Sequence, residues 1–385
     1  MKRQSAAASE NSIRWAQRLL DDDPEASARA ARLRYLATPG VGGFRREKSG
    51  RGFRLIASEG GRVPPEVRDR VHALVIPPAW RDVWIAPTSA CHLQVTGRDA
   101  AGRKQYIYHD KWRVARDQQK YARLVALGRL LPGIRRRVAR DLSGSADLSH
   151  ARVMASLVRL LESTLIRVGN DEYARSNQSF GLTTIRKKHV AHFDRRSVVF
   201  DFTGKSAKKW RVRVFDPPVI AVVRQCLRTP GHELFKYFDA SGSKRDATSA
   251  DVNEYLREVA GAHVTAKDFR TLGGTLLAGC ALTELLHAKP ALPEKKLVLR
   301  ALQRTADCLN NTPQICRSSY VHPAILDGSP GDLLALARRA SNRMTKQAVL
   351  LTDEERSAWA ASARTPAFER AVLAYVERRW HSRSG

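Results

Sequence analysis

The sequence predicts an α+β chain, with a small, mixed, β-rich N-terminal part followed by a larger, mainly helical part that carries a small β-sheet. Three observations predict it. Short alternating apolar runs punctuated by Gly, Pro and Ser crowd the stretch from Phe44 to Tyr108. Apolar residues three to four apart dominate from Asp110 onward. Two further alternating runs, Val198–Phe202 and Trp210–Val214, flank a glycine and lysine turn inside the helical part. At 385 residues the chain exceeds one ordinary domain, and 43% apolar residues suffice for real cores.

Taken in order, Ser12–Leu36 predicts one or two short helices around Pro24, closed by a loop at Pro39, Gly40, Gly42 and Gly43. A hairpin follows, from the run at Phe44 to the run Arg51–Ala57, across the turn residues KSG. Pro64–Val75 reads as a Pro-initiated helix, Val83–Ala86 and His92–Thr96 as strands, and Thr96–His109 as a glycine-punctuated turn running into an aromatic strand. Helices are expected over 111–131, 134–142 and Arg152–Val168, the last placing Arg167 on an apolar helix. From Val219 to Tyr320 the pattern reads as helices again, and Asp332–Trp380 as an amphipathic, Arg-rich helical tail. The expected division is a helical extension at 1–39, an N-terminal domain at 40–112, a larger domain at 113–330 and the tail at 331–385.

Charge narrows the function. Lys and Arg number 67 against 38 Asp and Glu, a formal net charge of +29, which points to a polyanionic partner, most commonly nucleic acid. Between Arg103 and Arg140 stand twelve basic residues and two acidic ones. Arg135 to Arg137 are expected to touch phosphate non-specifically at most. The five cysteines (Cys91, Cys226, Cys280, Cys308 and Cys316) lack CxxC spacing, which argues against a disulfide framework and a structural zinc site. No run approaches the length of a membrane span, and 1–11 lacks the apolar region of a secretory signal. The expectation is a soluble cytoplasmic protein.

Nucleotide and metal motifs are missing: no GxxxxGK[ST], HExxH, GxSxG or paired acidic cluster for Mg²⁺ occurs. Phosphodiester chemistry here would therefore need Arg, Lys and neutral donors aimed at the non-bridging oxygens, beside a protein nucleophile. Such groups occur in four ordered segments: LIRVGNDEY at 165–173, DFTGKSAKKW at 201–210, KDFRTL at 267–272 and LNNTPQICRSSYVHP at 309–323.

Together these segments resemble the motifs of type IB DNA topoisomerases, specifically the compact bacterial and poxvirus-like branch, over roughly Gly40–Gly328. The resemblance implies a tyrosine recombinase-like catalytic domain and an N-terminal domain that form a clamp around double-stranded DNA. It implies that Tyr320 attacks the scissile phosphate, that Arg167 and Arg270 clamp the non-bridging oxygens, that Asn311 is a neutral donor, and that Lys205 protonates the departing 5′-hydroxyl. Physical chemistry fits these roles. A planar guanidinium matches the transition state's oxygens bidentately, and nearby cations ease formation of a phenolate. Lys208 and Lys209 lie on the same turn as Lys205 and compete with it for the role of acid. Poxvirus-like members usually carry histidine where this chain has Asn311, and relatives with an LGNTP-like motif carry glycine where it has Asn310. Asparagine tolerates a left-handed turn at the second of these.

The segment Gly102–Tyr108 resembles a base-contacting strand of the family. DNA contacts are expected from Arg103, Lys104, Gln105, Tyr106 and Tyr108, from Arg113 and Arg116 beyond them, and from Tyr173. The activity implied is relaxation of positive and negative supercoils by a monomeric, nucleoid-associated enzyme of bacterial type, without ATP, a cofactor or a required metal. A tyrosine recombinase shares the nucleophile and the arginines but generally carries HxxR where this chain has Lys267–Arg270. A non-enzymatic basic DNA-binding protein would explain the charge and leave the four segments unexplained.

Overall fold

The computed structural model describes residues 2–21, 23–144, 147–289, 291–328, 331–332 and 365–384. The chain forms two compact units, Asp22–Tyr121 and a larger one of Met1–Asp21 with Ala122–Gly385. The segment expected as one extension, 1–39, is thus divided: α1 (Lys2–Leu20) buries Ala16 and Leu20 in the larger unit, whereas α2 (Pro24–Ala30) buries Ala28 in the smaller.

The smaller unit is built on an antiparallel sheet in the order β2-β1-β3-β4-β5, from β1 (Phe44–Ser49), β2 (Gly52–Ala57), β3 (Arg81–Ile85), β4 (Leu93–Arg98) and β5 (Lys104–Tyr108). Strand alternation sends Val83, Ile85, Val95 and Ile107 to one face, where Val71 and Leu74 of the α3 (Pro65–Ala73) segment cover them. The opposite face carries Trp84, Thr96 and Tyr106 in one cross-strand row, with Tyr108 beside it. The helix α4 (Asp110–Ser143) runs unbroken through Pro132, where two helices were expected.

In the larger unit, α5 (His150–Thr164), α6 (Asp171–Asn177), α7 (Pro217–Arg228), α8 (Ser249–Ala260), α9 (Ala266–Ala288) and α10 (Glu294–Leu309) surround one core. Among them lies the small sheet β6-β7-β8, of β6 (Val190–Phe193), β7 (Val198–Thr203) and β8 (Lys209–Val214). Strands β7 and β8 fall where alternation placed them. A two-stranded pair, β9 (Lys236–Phe238) with β10 (Lys244–Asp246), interrupts the region expected to be all helix. Helix α9 is buried nearly throughout, as an all-round apolar sequence requires.

The short helices α11 (Pro313–Ile315) and α12 (Pro323–Leu326) flank a π-turn at Cys316–Tyr320. Of the expected tail, residues 333–364 lie outside the described ones, while α13 (Pro366–Ser384) buries Phe368, Val372, Tyr375 and Val376 in the larger core. Arg135 pairs with Glu162 and Glu369, both at 2.6 Å, and Arg137 with Asp141 at 3.0 Å and Glu258 at 3.1 Å. Three of these carboxylates, Glu162, Glu258 and Glu369, are distant in sequence, and Asp141 lies one helical turn from Arg137, so both arginines already have counter-ions within the protein. All five cysteines are free. Among the described residues no helix is long and apolar enough to cross a membrane.

Candidate active site

Arg270 sits in the second turn of α9, whose first turn is fixed by Asp268. The Asp268 carboxylate accepts from Thr265 N at 2.9 Å and Thr265 Oγ1 at 2.8 Å, and pairs with Arg123 at 3.2 Å. Asp268 is therefore engaged elsewhere, and Arg270 forms no ion pair with a carboxylate among the described residues. It is only 3% exposed. Its guanidinium donates through Nη1 to Leu165 O and through Nη2 to Leu309 O at 3.1 Å. Both carbonyls stand at helix C-termini, of α5 and α10, where unpaired carbonyls and the negative end of the helix dipole favour a cation. Nε is buried with no partner among the described residues. Burial, reinforced by the charge of Arg167, lowers the Arg270 pKa to about 10.

Tyr320 lies beneath this guanidinium, with Arg270 Cζ 5.1 Å from its ring centroid. The π-turn that presents it closes through Val321 N donating to Cys316 O at 2.9 Å. Helix α9 holds the next residues: the Thr275 hydroxyl accepts from His322 N at 3.1 Å and lies 3.2 Å from Tyr320 O. Gly274 makes that approach feasible, since a Cβ there would stand 2.9 Å from Tyr320 Cβ and 3.0 Å from Tyr320 O. Burial alone would raise the Tyr320 pKa. The charges of Arg270 and Arg167, a hydrogen bond with Arg270 and the charge of Lys267 outweigh it, and the phenol is shifted below its ordinary value of 10.

Arg167 is not on a helix, contrary to expectation. Helix α5 ends at Thr164, Leu165 turns left-handed at φ 56°, and Gly169 follows at φ 113°. Arg167 thus occupies an extended segment whose backbone pairs with 182–183, Leu182 N donating to Arg167 O at 2.9 Å. The apolar spacing runs straight through this break, which hid it. Tyr173 lies on α6, half-buried, with its backbone N–H capped by Asn170 Oδ1 at 2.8 Å.

Asn311 follows α10, which Asn310 terminates at φ 48° in the left-handed geometry expected of it. The Asn311 Oδ1 accepts from Thr312 N at 3.1 Å, and its Nδ2 is buried with no partner among the described residues. Lys205 is exposed at the start of the β7–β8 turn. Lys208, by contrast, donates from Nζ to Asn311 O at 2.7 Å. The structure thus gathers Arg167, Arg270, Tyr320 and Asn311 around α9, with the Lys205 turn fastened to the Asn311 loop through Lys208. Gly274 and Thr275 were missed in the sequence. A Gly-Gly pair inside a buried apolar helix, costing about 1 kcal/mol per glycine relative to alanine, was the available signal of a close approach.

In the smaller unit, Lys104, Tyr106 and Tyr108 share one face of β5. The two tyrosine rings stack with centroids 5.9 Å apart, and Lys104 Nζ is 5.7 Å from the Tyr106 centroid. Tyr106 is 44% exposed, whereas burial first of all raises the Tyr108 pKa. Gln105 points the other way. Its Nε2 donates to Asp99 Oδ2 at 2.9 Å, and the same carboxylate takes Arg103 at 2.8 Å. Arg113 is exposed, and Arg116 lies with Cζ 5.6 Å from the Trp112 ring and donates to Gln119 at 2.9 Å. Among the described residues no three His, Cys, Asp or Glu side chains converge as a metal site requires.

Comparison with known proteins defines the class. The family model of the eukaryotic DNA topoisomerase I catalytic core matches residues 109–331, and that of the bacterial DNA topoisomerase IB N-terminal domain matches 52–99. The chain is 30% identical over 289 residues to DNA topoisomerase 1B of Acanthamoeba polyphaga mimivirus, covering 72% of this chain and 85% of that one. It is 24% identical over 238 residues to DNA topoisomerase 1B of vaccinia virus, covering 60% and 70%. With DNA topoisomerase 1 of Schizosaccharomyces pombe it shares 28% identity over 199 residues, 51% of this chain and 23% of the yeast protein. These matches span both units and make the protein an enzyme that acts on DNA topology. The chain belongs to the type IB DNA topoisomerase family.

Proposed function

We propose that the enzyme relaxes positive and negative supercoils by transient cleavage of one strand. Tyr320, as the phenolate left when its proton passes to solvent, attacks the scissile phosphorus through Oη and becomes bonded to the 3′ phosphate; the 5′ oxygen departs taking a proton from Lys205, and religation reverses both steps. The observation that carries this reading is Arg270: a buried guanidinium over the Tyr320 ring, held by two carbonyls and, among the described residues, lacking a carboxylate counter-ion. A buried cation in that state is complementary to a dianionic pentacoordinate phosphate. The unpartnered Nδ2 of Asn311 supports a neutral donor at the same phosphate. Arg167 acts with Arg270, lowering the cost of the Tyr320 phenolate. One phosphodiester replaces another, so the exchange needs no energy from ATP, and Arg167, Arg270 and Asn311 supply the charge stabilisation at the phosphate. On the smaller unit, the basic and aromatic face with Lys104, Tyr106 and Tyr108 supports contacts to double-stranded DNA, with Arg113 and Arg116 adding phosphate contacts.

The test is relaxation of a supercoiled plasmid in EDTA without ATP. The parent is expected to relax it and Tyr320→Phe to bind but not relax it. A Tyr320→Phe variant that still relaxes plasmid overturns the proposal.

A further inference from the structure

The β7–β8 turn, which bears Lys205, and the α10–α11 junction, which bears Asn311, are joined by two reciprocal hydrogen bonds. Lys208 Nζ donates to Asn311 O at 2.7 Å, and Asn310 Nδ2 donates to Lys209 O at 2.6 Å. The acceptor in the second bond is a backbone carbonyl, so the amide nitrogen must face it. Each bond thus runs from a side chain of one loop to the backbone of the other. The turn itself is an awkward one: Ser206 and Ala207 both adopt left-handed backbone, at φ 63° and 57°, and Gly204 N donates to Lys208 O at 2.8 Å. Without an outside restraint, a turn holding two non-glycine residues in that region has little reason to keep one conformation.

We infer that Lys208 and Asn310 form a clip that positions Lys205 for proton donation to the leaving 5′ oxygen. This rests on the reading of Lys205 as the acid. Lys208 and Asn310 are positioning residues, and neither is assigned a contact with DNA. The clip gives the Asn at 310 a second use beyond its left-handed cap, one that glycine cannot supply. It also sets Lys208 apart from the other two lysines of the turn, since Lys208 is committed to a carbonyl while Lys205 and Lys209 are exposed. Displacing a catalytic group by about 1 Å costs on the order of 10²-fold in rate, so loosening the turn is expected to slow cleavage by roughly 10- to 10²-fold.

The experiment is single-turnover cleavage by the full chain on two DNA duplexes, identical except that the bridging 5′ atom at the scissile phosphate is oxygen in one and sulfur in the other. A thiolate leaves without protonation, so a defect confined to proton donation disappears on the sulfur substrate. Asn310→Gly, which keeps the left-handed cap, Lys208→Met and the double variant are compared with Lys205→Ala. The expected result is a slowing of about 10- to 10²-fold on oxygen for each single variant and no larger loss for the double. On sulfur, all are expected to approach the parental rate, as Lys205→Ala does. Parental rates for Asn310→Gly and Lys208→Met on oxygen overturn the clip, and so does equal slowing on both substrates. A rescued defect in Lys208→Met alone, with Lys205→Ala and Asn310→Gly unaffected, also overturns it and makes Lys208 the acid. A parent that forms no covalent adduct on either duplex overturns the underlying reading together with the clip.

Discussion

Alanine at position 274 perturbs the nucleophile without removing any catalytic group. The new methyl would meet Tyr320 Cβ at 2.9 Å, Tyr320 O at 3.0 Å and Leu309 Cδ1 at 3.2 Å. Carbon contacts settle at about 3.5–4.0 Å, so Tyr320 or α9 must give way by roughly 0.5–1 Å. Alanine is worth about 1 kcal/mol over glycine in a helix interior, and overpacking of this kind costs about 1–3 kcal/mol. Net stability is therefore expected to fall by roughly 0–2 kcal/mol, while a tyrosine displaced by about 1 Å loses on the order of 10²-fold in cleavage rate. Gly279→Ala in the same helix is the control, because its methyl meets nothing nearer than Val372 Cγ2 at 3.5 Å. It is expected to raise stability by up to about 1 kcal/mol and leave cleavage near the parental rate. Single-turnover cleavage and denaturant unfolding measure both. If Gly274→Ala cleaves as fast as Gly279→Ala, the claim that α9 sets the position of Tyr320 is wrong.

Three further outcomes are expected. Arg270→Ala is expected to lower the cleavage rate by about 10²–10³-fold with duplex binding largely kept, as loss of one charge-stabilising donor does; a change of only a few-fold in single-turnover assays would show that another group clamps the phosphate. Because cations hold the Tyr320 phenol below 10, its phenolate gains population as pH rises from neutral and cleavage speeds up. Arg167→Ala removes one of those cations and moves the rising limb of the pH–rate profile to higher pH, so a profile that does not move counts against the coupling. Phe368→Ala, in the buried face of α13, is expected to destabilise the larger unit by about 3–5 kcal/mol in denaturant unfolding; a cost below about 1 kcal/mol would mean that the tail helix is not part of that core.

The sequence disclosed most where local chemistry decides structure. The β7–β8 hairpin was readable because period-2 alternation brackets a glycine turn, and Asn310 because few residues other than glycine accept a left-handed cap. Arg167 was misplaced onto a helix because the break is made by Leu165, an apolar residue in left-handed backbone, which leaves the apolar spacing intact. The pair β9–β10 escaped notice because three-residue strands carry too little alternation to register. Gln105 was grouped with Tyr106 and Tyr108, yet it faces the other side of β5 and is tied to Asp99. The partners of the arginines were the least legible feature. Arg135 and Arg270 look alike in sequence, but one meets two carboxylates, including Glu369 at 2.6 Å, and the other, among the described residues, meets two carbonyls and the Tyr320 ring and no carboxylate. The difference lies entirely in long-range packing.

The whole mechanism depends on a bond between Tyr320 and DNA. Its most direct test is to quench the enzyme on a nicked duplex with denaturant, digest the trapped complex, and locate the DNA-linked peptide by mass spectrometry. A nucleotide joined through its 3′ phosphate to Tyr320, formed in EDTA and missing in Tyr320→Phe, is the expected result. A linkage to any other residue, a 5′-phosphate attachment, or an undiminished adduct in Tyr320→Phe would contradict it.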